Sequence, residues 1–468
     1  MNARLLACYL GLLLAAIAAF VGVSELGNLV AAPPPDPGAP TFGAPAGEAA
    51  AQPLPHVLLA LVVVILAARA TGALFRLFGQ PPVVGEMLAG ILLGPSAFGH
   101  MAPAASAFLF PPSISPMLNI IAQVGVVLFL FLVGLELDTT VLGKRTQASV
   151  AVSHASIVVP FVFGGALALL LYPRLSSSDV PFHAFALFVG VSMSVTAFPV
   201  LARILTDTGL MKSPLGIVAL ACAAVDDVTA WCLLALVVGI AKTDTGTALI
   251  TMVLAVAFTA AMLLLVRPRL ARWARSFATD QRVTADAIAV VFVGLLLSAF
   301  ATESIGIHAL FGSFLFGALI PHDSPLARVV VGKLTDVVVV LFLPLFFAFT
   351  GLRTQVGLVS GFENWLLCGL VIAVAVAGKF GGSYAAARFT GLPARESLAL
   401  GALMNTRGLM ELVVLNIGLD LKIISPTLFA MMVLMALVTT TLTTPVLYVL
   451  GLASWRSVPK AAPGAVNT

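Results

Sequence analysis

GIVALACAAVDDVTAWCLLALVVGI, residues 216–240, places two adjacent carboxylates, Asp226 and Asp227, in the middle of an otherwise apolar run. The run is long enough to cross a bilayer as one helix. A carboxylate near the bilayer centre costs roughly 2.5–3.5 kcal/mol on insertion scales. Two of them without partners or water would cancel much of the segment's insertion energy. Such a pair marks a functional site, and a cation or proton site inside a membrane transporter is the reading that fits it best.

The composition agrees. Sixty per cent of the 468 residues are hydrophobic, only 9% are charged, and the mean hydropathy is +1.11. A soluble domain carries about 25% charged residues. The net charge of +4 does not point to nucleic acid, because the basic residues lie between apolar runs. Cys8, Cys222, Cys232 and Cys368 all fall inside such runs and lack metal-ligand spacing, so apolar packing is their expected role. No cofactor is expected.

Runs of about 20 apolar residues predict an all-α polytopic membrane protein with thirteen spans: 55–76, 82–99, 116–135, 148–171, 184–206, 214–240, 246–266, 284–302, 305–321, 335–352, 363–386, 395–418 and 425–450. The run from Leu5 to Val23, after Arg4, is either a fourteenth helix or a cleaved signal, and a retained helix is favoured. Residues 31–55 hold eight prolines and read as a linker. With the first of the thirteen spans running inward, seventeen Lys and Arg fall on the cytoplasmic side, Arg4 included, against four outside (Arg174, Lys242, Arg353 and Lys422). The positive-inside rule then places both chain ends in the cytoplasm. Arg267 to Arg282 reads as a basic cytoplasmic loop facing anionic lipids.

Three basic residues remain inside spans. Arg203 fits a snorkelling role near a helix end. Lys379 is too deep for that and needs a carboxylate partner, for which Asp226 or Asp227 is the obvious candidate. Arg407 has Glu411 one turn on, at the i, i+4 spacing of a helical ion pair, and a structural bridge and a transport role stand equal there. Two spans look interrupted. In SMSVTAFPVLAR, 192–203, Pro199 removes a backbone donor while Ser192, Ser194 and Thr196 supply polar groups. In GALMNTRGLMEL, 401–412, Asn405, Thr406 and Gly408 break the apolar sequence. The two interruptions fall in three-helix groups that start from opposite sides of the membrane. That is the pattern of inverted repeats with discontinuous helices, although one proline kink alone would be ordinary.

Glu86 lies near a span end, where a structural role and a place at the mouth of the pathway are equally open. Glu136 and Asp138, ahead of Lys144 and Arg145, read as an interfacial charge cluster, and His154 and His308 as packing histidines rather than pH sensors.

These motifs carry a resemblance. PPVVGEMLAGILLGPSAFG (81–99), FLFLVGLELD (129–138), SMSVTAFPVLARIL (192–205), AAVDDVTAWCLLAL (223–236) and LMNTRGLMELVVLNIGLDLKIIS (403–425) resemble the monovalent cation:proton antiporter superfamily, second branch, over residues 55–450. The resemblance implies the Na⁺/H⁺ antiporter fold with two discontinuous crossed helices. It divides the chain into an N-terminal segment (1–54), scaffold and dimerisation helices (55–143 and 246–352), a transport core in two halves (148–240 and 363–450) and a short tail (451–468). It further implies exchange of Na⁺ or K⁺ for protons, not enzyme activity, by a homodimer in a bacterial plasma membrane. Asp227 then matches the ion- and proton-binding carboxylate and the ligand of the transported cation. Asp226 matches a position that is Asp or Asn, and Lys379 matches its basic partner. Ser194, Thr196 and Pro199 match the first unwound stretch, and Asn405 and Thr406 the second. The Asp-Asp form with the lysine resembles electrogenic members. A cytoplasmic nucleotide-binding regulatory domain, present after the last helix in many relatives, is not expected. A sodium-coupled symporter of an organic anion, or an exporter of a larger cationic compound, are the alternatives the residues leave open.

Overall fold

A computed structural model describes residues 3–27, 29, 53–136, 147–211, 213–242, 245–277 and 283–452. Most of the expected linker, the charge cluster at Asp138, Lys144 and Arg145, and the tail beyond 452 lie outside the described residues.

Helices make up the whole of the regular structure, with no strand among the described residues. In chain order they are α1 (Ala3–Gly27), α2 (Pro53–Leu77), α3 (Pro82–Leu93), α4 (Ser115–Glu136), α5 (Gln147–Leu175), α6 (Phe182–Ser194) and α7 (Phe198–Asp207). There follow α8 (Pro214–Lys242), α9 (Thr245–Ala261), α10 (Arg267–Ser276), α11 (Ala285–Ile305), α12 (Ala309–Leu319) and α13 (Pro325–Val337). The last are α14 (Leu343–Arg353), α15 (Gly361–Val376), α16 (Gly382–Phe389), α17 (Ala394–Met404), α18 (Leu409–Asp420) and α19 (Pro426–Val449). Nine helical stretches among the described residues are long and apolar enough to cross a membrane, with shorter apolar helices beside them.

The surface is as apolar as a lipid-facing surface must be. On α11, Val293, Leu297 and Phe300 are all more than half exposed, an arrangement that water would penalise. The chain is an integral membrane protein.

Packing falls into two groups. In one, α14 lies on α3, α2 and α4, while α12 lies between α4 and α11. In the other, α5 contacts α6, α8, α15 and α16, and α19 contacts α15, α17 and α18. Contacts between the groups are fewer, and α14 against α18 is one of them. A cavity of about 350 Å³ opens between the groups, lined by Arg69, Arg76, Glu86, Leu343 and Phe347 on one side and by Val200 and Arg203 of α7 on the other.

The expected span 82–99 ends early, at Leu93. Gly94 is extended (φ −79°, ψ −173°) because Pro95 crowds a helical residue before it, and two short helices follow, Phe98–Met101 and Pro103–Leu109. The basic stretch expected as a loop is largely helical instead. A π-turn at Met262–Val266 leads straight into α10, which carries Arg267, Arg269, Arg272 and Arg275. The same device recurs at Val338–Phe342, before α14. In both places a proline follows by two residues, Pro268 or Pro344, and the wider turn accommodates its missing donor without ending the helix.

Candidate functional site

Both expected interruptions are present, and they meet. The first separates α6 from α7 at Val195–Ala197, where the backbone is extended, and Pro199 stands in the first turn of α7. The second separates α17 from α18 at Asn405–Gly408. Ala197 N donates to Thr406 O at 3.0 Å, and Thr196 Oγ1 to Met404 O at 3.2 Å. Each broken strand of backbone therefore satisfies part of the other's hydrogen-bonding need, which membrane lipid cannot. The helix α19 supplies the rest. Arg407 N donates to Thr440 Oγ1, Thr440 Oγ1 donates to Arg407 O, and Thr443 Oγ1 reaches Ala402 O.

Helix α6 ends inside the protein, so its last carbonyls lack intrahelical partners and carry the negative end of its dipole. Two buried cations answer them. Arg407 donates to Ser192 O at 3.0 Å and to Met193 O at 2.9 Å. Lys379 Nζ donates to Ser194 O, and to Ser156 O at 2.9 Å. This is why an arginine and a lysine sit fully buried in an apolar bundle.

Each cation also has one carboxylate. Lys379 Nζ lies 3.0 Å from Asp226 Oδ2, with neither side chain exposed. Arg407 lies 3.2 Å from Glu411 Oε2 at the i, i+4 spacing, again fully buried. The two carboxylates are served unequally. Asp226 Oδ2 accepts from Ser156 Oγ at 2.8 Å and from Thr196 Oγ1 at 2.7 Å besides the lysine, and Ser153 Oγ approaches Oδ1 at 3.3 Å. Neither oxygen of Glu411 accepts a well-directed hydrogen bond among the described residues. Asn405 Oδ1, also buried, accepts none either.

Close approach of α15 to α5 puts Lys379 within reach of this cluster. Lys379 lies in a π-turn, Ala377–Gly381, flanked by Gly378 and Gly382. A Cβ at Gly378 would sit 2.8 Å from Pro160 Cα, and one at Gly382 3.1 Å from Ala155 O. Small residues at that spacing let membrane helices touch backbone to backbone. Gly378→Leu is expected to push the helices apart and to lower the melting temperature in detergent by several degrees, the overpacking cost being about 1–3 kcal/mol. An unchanged melting temperature would show that the contact is looser than described.

A family model for sodium/hydrogen exchangers, transmembrane, matches residues 58–450. The chain belongs to that family. The Na⁺/H⁺ antiporter NhaS4 of Synechocystis is 42% identical over 83% of this chain and 95% of its own length. Cation/H⁺ antiporter 20 of Arabidopsis thaliana is 40% identical and K⁺/H⁺ antiporter 1 of Saccharomyces cerevisiae 34%, each over 84% of this chain. This chain spans about half the length of those two, 48% and 46%. Among solved structures, the sodium proton antiporter MjNhaP1 of Methanocaldococcus jannaschii superposes with a TM-score of 0.62 at 14% identity, over 85% of this chain and 99% of the other. That likeness is one of fold.

Members of this exchanger family are transporters rather than enzymes. The residues singled out in the sequence distribute as follows. Asp226, Lys379, Ser194, Thr196, Asn405, Thr406, Arg407 and Glu411 converge around the two breaks. Asp227 follows Asp226 on α8, and its side chain, like that of Pro199, lies outside the described set. Four hydroxyls were not singled out: Ser153, Ser156, Thr440 and Thr443. Ser153 and Ser156 stand one turn apart in an apolar run and Thr440 and Thr443 fall in TTTLTT at 439–444, but nothing in the spacing separates them from hydroxyls that bond only to their own helix.

His308 and Arg203 stand away from the breaks. His308 is the N-cap residue of α12, with φ +76° and its ring 3.9 Å from Glu303. Arg203 lines the cavity on the arginine-rich side.

Proposed function

We propose that this protein exchanges a monovalent cation, Na⁺ or K⁺, for protons by alternating access, the two competing for the carboxylate of Asp227. The observation that carries the reading is the saturation of Asp226. Three hydroxyls and an ammonium surround its carboxylate, so displacing them to admit a dehydrated cation would cost several charge-assisted hydrogen bonds. Asp227, one position on and about 100° round the same helix, is then the acid free to alternate between H⁺ and metal ion. The formal charges of Asp226, Lys379, Arg407 and Glu411 cancel, which leaves Asp227 as the charge that a cation or proton neutralises.

The relatives named above support this reading, being Na⁺/H⁺, K⁺/H⁺ and cation/H⁺ antiporters. In it, the group built on α5, α6, α8 and α15–α19 is the transport core. The group built on α2–α4 and α11–α14 is the scaffold, through which two copies pair, and the arginine-rich side faces the cytoplasm.

The test is purified protein in liposomes with an internal pH dye, challenged with Na⁺, K⁺ and Li⁺ in turn. Cation-dependent proton movement is expected for at least one of them. Competition for one carboxylate has a sign that can be checked. As pH falls and the proton-bound form takes over, the half-saturating cation concentration should rise, approaching about tenfold per pH unit. A half-saturation that ignores pH, or no proton movement with any cation, would overturn the proposal.

A further inference from the structure

We propose that Arg353, Asn416 and Asp420 form a latch on the outer face that holds the core shut against the scaffold while the site faces the cytoplasm, and that it must open in every transport cycle. The inference rests on the exchange reading above and adds residues that hold the conformation in which the site opens to one side only.

The latch spans the two packing groups. Arg353 ends α14, and its guanidinium donates to Asn416 Oδ1 at 2.9 Å and to Asp420 Oδ1 at 2.5 Å, both on α18. Asn416 Nδ2 returns a bond to Thr350 Oγ1 of α14 at 2.8 Å. Two side chains on each helix thus close a double bridge.

Arg353 is fixed to the scaffold end of this bridge. Ser96 Oγ donates to Thr354 O at 3.0 Å and accepts from Val356 N at 2.9 Å, tying the end of α14 to the segment after α3. A Cβ at Gly351 would sit 2.5 Å from the carbonyl carbon of Gly90, so α14 and α3 touch backbone to backbone. The other end of the bridge belongs to the core. Helix α18 starts at the second break, so Asn416 lies about 12 Å along the same half-helix from Gly408, at 1.5 Å per residue.

The other end of α14 faces a cavity instead. Leu343 and Phe347, nearer the start of α14, line the 350 Å³ cavity that separates the scaffold from α7. One helix, α14, is therefore bonded to the core at its outer end and parted from it at its inner end. For the core to open outward, the bridge between α14 and α18 has to break. Its composition suits that task. Arg353 and Asp420 are 10% and 42% exposed, so water reaches that half of the bridge and replaces part of its bonding, while the Thr350–Asn416 half is buried.

The test is a disulfide in place of the Thr350–Asn416 bond. Thr350→Cys with Asn416→Cys, in a background lacking the native cysteines, is expected to oxidise readily and to lose cation-driven proton movement, with full recovery on reduction. A cross-linked protein that still exchanges, or a pair that never oxidises, would overturn the latch. In a second arm, Thr350→Cys alone is labelled from the outer face with an impermeant maleimide. Labelling should be slow, since Thr350 is buried, and adding Arg353→Ala should speed it about fivefold, the scale of one partly exposed charge-assisted pair. Arg353→Lys should restore most of the protection. Equal labelling in all three would make the contact a static one and end the proposal. Wild-type protein that shows no exchange sinks the functional reading instead, and the labelling arm still decides the latch.

Discussion

Asp227→Asn is expected to reduce cation-driven proton movement to the background of empty liposomes while leaving the protein folded. An amide neither releases a proton nor presents the negative charge that offsets a cation's dehydration, so both half-reactions fail together. Asp226→Asn makes the informative contrast. There the carboxylate is lost from beneath Lys379, Ser156 and Thr196, and a fully buried ammonium keeps only carbonyl partners. Breaking a buried pair from one side costs about 3–5 kcal/mol. The prediction is thus a crossed pattern. One substitution stops transport with a melting temperature close to wild type, and its neighbour lowers the melting temperature steeply. Both are read in the same detergent by thermal unfolding, with the liposome dye signal beside them. Wild-type exchange in Asp227→Asn removes that residue from the mechanism. A wild-type melting temperature in Asp226→Asn would mean the four donors around it contribute little.

Much of this arrangement is legible in the sequence because the membrane punishes polar groups so heavily. An acid, a lysine or an arginine in an apolar run has to have a partner, so Asp226, Lys379, Arg407 and Glu411 announce themselves. The pairing of Lys379 with one of two adjacent aspartates needs the fold, since which acid faces α15 depends on helix rotation that no spacing rule supplies. Serines and threonines are silent by comparison. Their hydroxyls bond to their own helix's carbonyls at little cost, as Thr439 does with Met435 O at 2.9 Å, so Ser156 and Thr440 look no different from it until the neighbours are in place. Helix ends are equally opaque where a π-turn intervenes. Pro268 reads as a helix stop, yet the turn at Met262–Val266 carries the helix through to Ser276. The bridge between α14 and α18 was out of reach for another reason. Arg353 and Asp420 are ordinary charges at span ends, 67 residues apart, and only the packing of α14 on α18 brings them together.

The pair formed by Arg407 and Glu411 should behave differently from that of Lys379 and Asp226, and the difference follows from who else is present. Arg407 serves two masters: the carbonyls of Ser192 and Met193, and Glu411. Removing it takes the side-chain donors from Ser192 O and Met193 O at the end of a half-helix and leaves a carboxylate with no hydrogen-bond donor in a fully buried position. Arg407→Met is therefore expected to cost about 3–5 kcal/mol, the size found when one partner of a buried pair is deleted. Removing Glu411 alone is expected to cost less, because Arg407 keeps its two carbonyls, which also bear the helix's negative end. The double variant Arg407→Met with Glu411→Leu should then recover part of the loss. It removes the orphaned charge and leaves only the unsatisfied carbonyls of α6, so the two effects do not add. Melting temperatures of the three variants measure this directly. If the double variant is as unstable as the sum of the singles, Glu411 is not held by Arg407 in the way the 3.2 Å contact suggests. If Arg407→Met alone is harmless, the capping of α6 by a side chain from the second break is not what keeps the two interrupted helices together.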